Sequence, residues 1–79
     1  MTAVTNADIV SLVEQARVLR DIKLLRNDVR FSEQGIDSLG IFNILLLVGE
    51  HYKLEIPDRD VPDVQTVDEI VGYLNRRLS

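Results

Sequence analysis

From Leu39 to Tyr52 no proline interrupts the chain. At about 100° per residue, Ile41, Ile44, Leu45, Val48 and Tyr52 fall within one arc of about 100°, the apolar stripe of a helix that packs on a core. Asp37 and Ser38 immediately before it are both favoured helix-start residues, and Pro57 closes the region. The opposite arc holds Leu39, Phe42, Asn43, Leu46, Gly49 and Glu50. Three of these are large and apolar, more than a solvated outer face needs, and a contiguous exposed apolar patch marks a contact surface. The helix therefore reads as two-sided, one side for the core and the other for a partner.

Two further periodic stretches supply what that helix packs against. Ile9, Leu12, Val13 and Ala16, with Leu19 one turn on, predict a first helix over about 6–19, with Thr5 and Asp8 as its start signal. Val67, Ile70, Val71, Leu74 and Leu78 predict a last helix over about 67–77. Thr66 and Glu69 form its capping box, and Arg76 and Arg77 sit at its negative end. Asp58 to Val64, containing Pro62, allows one short helical turn over about 58–63. Residues 20–37 have no clean period, but Ile22, Leu24, Leu25, Val29, Phe31 and Ile36 are spread along them. These anchors predict an ordered, irregular crossover. The expectation is all-α: one domain over 1–79, a bundle of three main helices and a short fourth, with the main central helix over about 38–53. Ile41, Ile44, Leu45, Val48, Ile70, Val71 and Leu74 are its expected interior.

Composition narrows the function. A chain of 79 residues with no cysteine and no tryptophan holds itself together by aliphatic packing, which favours helices. It also has no thiol of its own for catalysis or zinc ligation. Nine basic against 13 acidic residues give a net charge of −4, which speaks against nonspecific nucleic-acid binding. The longest apolar run, Ile44 to Val48, is far below the roughly 18 residues of a membrane span. No secretory signal pattern opens the chain, so the expectation is a cytoplasmic monomer. The charge is uneven: residues 17–30 carry a local +3 and residues 31–79 a local −5.

Few side chains are candidates for chemistry. Asp37-Ser38-Leu39 opens the central helix, and its plainest reading is an N-cap. A serine nucleophile would need a histidine base. The only one, His51, lies about 20 Å along the same helix at a rise of roughly 1.5 Å per residue, out of reach. Asp58, Asp60 and Asp63 lack the glycine and the closing glutamate of a calcium loop, and Pro62 interrupts them, so they read as a solvated acidic turn.

The context of the triplet is more specific. Gly35, Asp37, Ser38 and Leu39 match a Gly-x-Asp-Ser-Leu pattern; Glu55-Ile56-Pro57-Asp58 and the Thr66-Val67 helix start follow at matching distances. In these features, over nearly its whole length, the chain resembles the acyl carrier proteins. The resemblance implies a freestanding, non-catalytic carrier whose Ser38 bears 4′-phosphopantetheine, with Asp37 engaged by a Mg²⁺-dependent phosphopantetheinyl transferase. The partners it implies are that transferase, an acyl- or aminoacyl-loading enzyme, and downstream synthase or transferase enzymes. Leu39, Phe42, Asn43, Leu46 and Glu50 would be the docking face, and the bundle interior would shelter an acyl chain.

Departures from the family pattern refine this. Housekeeping fatty-acid carriers have an acid-rich second helix, whereas Gly40, Asn43 and Gly49 stand here where acids are common, and only Glu50 is acidic. Docking by apolar burial is expected to outweigh docking by charge, as in a polyketide or other specialised pathway. The Gln34-Gly35-Ile36 lead-in resembles such carriers too. Gly40 offers bare backbone for close approach by a partner or the arm. An aminoacyl carrier and an unmodified helical adaptor are the alternatives.

Overall fold

Thr5 starts the first helix, α1 (Asn6–Ala16), with a complete capping box. Its hydroxyl accepts from the Asp8 amide (3.3 Å), and the Asp8 carboxylate accepts from the Thr5 amide (2.9 Å). The computed structural model that shows this describes residues 3–78; the outer positions of the expected 1–79 domain lie outside the described residues. α1 ends at Ala16 and not at Leu19 as the periodicity predicts. Arg17 turns left-handed (φ 55°, ψ 41°) and its amide donates to the Glu14 carbonyl at 3.1 Å. Val18 and Leu19 still pack against the core, but from the crossover. The period registered apolar anchors that continue beyond the helix.

The crossover is ordered by hydrogen bonds as well as by apolar anchors. Two 3₁₀ turns, Ile22–Leu24 and Phe31–Gln34, interrupt it. The Gln34 carboxamide accepts from the Arg26 amide (2.8 Å) and donates to the carbonyls of Arg26 (2.9 Å) and Val29 (2.7 Å), folding residues 26–34 back on themselves. The Phe31 amide donates to the Gln65 carbonyl at 2.9 Å, and the Asp68 amide to the Asn27 carbonyl at 3.0 Å. Phe31 itself is fully buried. Among the expected anchors Leu24 stands exposed, and Val29 is half-buried without joining the core.

The second helix, α2 (Ser38–Tyr52), and the third, α3 (Val67–Leu78), both pack against α1, while the short fourth helix is a 3₁₀ segment, Asp58–Asp63, lying on α3. Pro62 is tolerated there because so short a segment asks little of its amide. The Thr66 hydroxyl accepts from the Glu69 amide as the capping box requires (2.9 Å), but the Glu69 carboxylate reaches one residue further back, to the Gln65 amide (2.8 Å). No strand occurs among the described residues. Ile9, Val13, Phe31, Ile44, Val48, Val64, Val67, Ile70 and Leu74 form the fully buried centre of the core. Of the expected interior, Leu45 is also buried, whereas Ile41 and Val71 are half-buried and pack on its rim.

The acidic turn is built into this packing. The Tyr73 hydroxyl donates to Asp60 Oδ2 at 2.8 Å, and the Arg77 guanidinium donates to the Tyr73 oxygen at 2.6 Å. Burial, together with the Asp60 carboxylate, holds the Tyr73 phenol above its ordinary range, with Arg77 acting in the opposite direction. Asp60 is thus a fastening between the 3₁₀ segment and α3.

If the crossover is part of the core, Phe31→Ala should lower the unfolding free energy by about 3–5 kcal/mol. Urea denaturation measures this, and a loss below about 1 kcal/mol would place Phe31 outside the cooperative core.

Candidate functional site

Ser38 is the first residue of α2, and everything around it is set by how that helix begins. Asp37 is extended (φ −76°, ψ 176°), and its Oδ1 accepts from the Gly40 amide at 2.8 Å, while its carbonyl accepts from the Ile41 amide at 2.9 Å. The acid before Ser38 is therefore the N-cap, as its residue type predicts. Gly35, in the left-handed region at φ 84°, turns the chain out of the Phe31–Gln34 turn and sends Ile36 inward. Ile36 is buried, and its amide donates to the Phe31 carbonyl at 3.1 Å.

Gly40 has a different role from the one expected. It is buried under the crossover, and a Cβ there would stand 2.8 Å from Ile36 Cγ2 and 3.1 Å from Val18 Cγ1. The close approach that this glycine permits is made by the chain's own crossover. The contact leaves Ser38 on the outside. Its side chain is exposed and makes no hydrogen bond or ion pair with the described residues.

This arrangement suits a covalently attached phosphodiester. The hydroxyl is free of structural duties, so its modification breaks nothing. First-turn amides other than that of Gly40 have no acceptor within the helix, and the positive end of the helix dipole favours an anion beside them. Asp37 stays exposed although one of its oxygens is engaged in the cap. His51 lies at the far end of α2, edge-on to Tyr52 with their ring centroids 4.7 Å apart, so no histidine base attends Ser38. Among the described residues no group of three His, Cys, Asp or Glu could hold a metal ion. No helix among them is long and apolar enough to cross a membrane.

Beyond Ser38, α2 presents the outer face that its periodicity predicts. Leu39, Phe42 and Leu46 are 68%, 61% and 51% exposed, against 0% for Ile44 and Val48 on the inner face. Asn43 and Glu50 are exposed beside them. The expected interior residues are mostly sealed off. Ile44, Val48, Ile70 and Leu74 are closely packed with no exposure. A cavity of about 500 Å³ opens instead on the flank of α2, lined by Phe42, Leu45, Leu46, Leu54, Ile56 and Val61 among others. Of the expected interior residues only Leu45 reaches it. Periodicity does not single out Leu54, Ile56 and Val61 as lining, because they lie in the aperiodic stretch around Pro57. Their signal was the retention of apolar residues in a segment otherwise rich in acids.

The sequence matches the family described as "Phosphopantetheine attachment site" over residues 8–74. An acyl carrier protein of Bdellovibrio bacteriovorus is 33% identical over 66 residues, covering 84% of this chain and 83% of that protein. One of Helicobacter hepaticus is 31% identical over 64 residues, covering 80% of this chain and 82% of that protein. A mitochondrial acyl carrier protein of Neurospora crassa is 30% identical over 57 residues, or 71% of this chain and 42% of that longer protein.

Proposed function

Because this chain belongs to the acyl carrier protein family, whose cofactor is phosphopantetheine, we propose that Ser38 is its attachment point and that its cargo belongs to a polyketide or other specialised acyl pathway. The observation that carries the assignment to Ser38 is its exposed, unengaged hydroxyl at the start of α2, next to the exposed Asp37. A phosphopantetheinyl transferase reads that entrance, with Asp37 as the acid facing its Mg²⁺. When bound, the group supplies a thiol on a flexible arm, to which an acyl unit is joined as a thioester. The chain contributes no thiol to compete for that unit by exchange.

The outer face of α2 is the surface for partner enzymes. Fully burying a large apolar side chain is worth roughly 1.5–3 kcal/mol, so Leu39, Phe42 and Leu46, each half exposed or more, offer about 1–2 kcal/mol apiece. Association costs at least about 4 kcal/mol in lost freedom, so this face supports short-lived docking, which a carrier visiting several enzymes needs. Glu50 is the one acid in the set, and steering by charge is correspondingly weak. The apolar character of this face, where housekeeping carriers place acids, supports the specialised reading. The cavity beside α2 gives an acyl chain somewhere to rest.

Incubation with CoA, Mg²⁺ and a broad-specificity transferase should add one phosphopantetheine per chain by intact mass, and Ser38→Ala should abolish the addition while leaving stability within about 0.5 kcal/mol. An unmodified wild-type chain would leave a helical adaptor, and an aminoacyl adduct recovered from the native host would replace the acyl reading. For the docking face, Phe42→Glu should impair transfer to pathway enzymes while the helical circular-dichroism signal stays intact. Loss of that signal would instead place Phe42 in the core.

A further inference from the structure

Another cavity, of about 260 Å³, opens at the start of α2; Ser38 itself is not in its lining. It lies between the turn that ends α1 and the first turns of α2, and both sequence neighbours of Ser38, Asp37 and Leu39, line it. Arg17, Val18, Gly40 and Asn43 complete the wall that matters here. We infer that this cleft seats the phosphate end of the arm, with the Arg17 guanidinium as its cationic contact and the Asn43 carboxamide as a partner for the arm's first amide. The inference rests on Ser38 being the attachment point and adds where the arm lies when no enzyme holds it.

Three observations carry it. Arg17 is one of only two non-glycine residues with positive φ among the described residues (φ 55°), a backbone position where glycine is the easier choice. A cation there is favourable at the α1 C-terminus. The α1–α2 packing also brings it to the cleft beside Ser38, where the other such residue, Lys53, does not reach. Charge is complementary: the phosphodiester is an anion, the one acid in the wall, Asp37, is engaged through Oδ1 by the Gly40 amide, and Arg17 is exposed and free to turn. The Asn43 carboxamide offers both donor and acceptor, and makes no hydrogen bond with the described residues. Size sets the limit. Sites that enclose a drug-sized molecule run from roughly 300 Å³ upward, so this cleft holds the proximal part of the arm and leaves the thiol end outside. Covalent tethering makes the encounter intramolecular, so even a weak contact is populated.

The test uses the full chain, ¹⁵N-labelled, before and after enzymatic loading, with intact mass reporting the attachment. Loading should displace the resonances of Ala16, Arg17, Val18 and the Asn43 side chain as well as those of residues 37–40. Arg17→Gln, once intact mass shows it fully loaded, should lose most of the displacement at 16–18 and at Asn43, Arg17→Lys should keep most of it, and added salt should diminish it. If Arg17→Gln fails to fold, Arg17→Gly, which suits the left-handed backbone, takes its place. Displacements confined to residues 37–40 in the loaded wild type, or unaltered by loss of the cation, overturn the inference while leaving Ser38 as the attachment point. A chain whose mass does not change on loading overturns both.

Discussion

The bare backbone of Gly40 against Ile36 and Val18 is the contact on which the site depends. It lets the crossover descend onto the first turns of α2 from both ends, Val18 arriving just after α1 and Ile36 just before α2. With those two side chains inward, the residues between Ile36 and Gly40 have to face out. Asp37 caps the helix and Ser38 stands clear. The exposure of Ser38 is thus a by-product of packing: the serine faces out because its neighbours two positions away on either side are buried.

The same helix then separates its duties by face. Ile44 and Val48 are buried to completion, whereas Leu39, Phe42 and Leu46 are left to solvent. No folding requirement explains three large apolar side chains in water, and their place on the helix that Ser38 opens is what supports the proposed docking role. Two cavities border this arrangement, the larger and more apolar beside Phe42 and Leu46, the smaller at the start of α2 with Arg17 and Asp37 in its wall. On the proposed reading, an arm that starts at Ser38 would have a polar resting place near its phosphate, and an acyl unit an apolar one further along α2.

Periodicity was enough to read the three α-helices, because each buries a regular stripe, and the start signals at Thr5, Asp37 and Thr66 all make side-chain caps. It failed where apolar residues stop being periodic. Leu19 extended the first helix on paper, yet the chain had already turned at Arg17, a residue whose left-handed backbone no propensity announces. In the sequence Gln34 is only part of a family-like lead-in, whereas its side-chain amide is what folds residues 26–34. Glycine is the hardest residue to read: at Gly40 the sequence shows only a missing side chain, and which neighbour fills the space is a tertiary fact. Ser38 and the outer face were legible because helix geometry alone separates them from the core. The cavities were not, since their walls come from segments far apart in sequence.

Gly40→Ala gives the most direct test, because local and tertiary effects predict opposite signs. By helix preference alone, alanine in place of glycine should stabilise α2 by about 1 kcal/mol. If the seating of the crossover on Gly40 governs the site, overpacking costing roughly 1–3 kcal/mol should outweigh that gain, because the atom met first is a methyl of the β-branched, buried Ile36. The urea midpoint of Gly40→Ala should then fall below that of the wild type. A midpoint equal to or above the wild type would contradict the account.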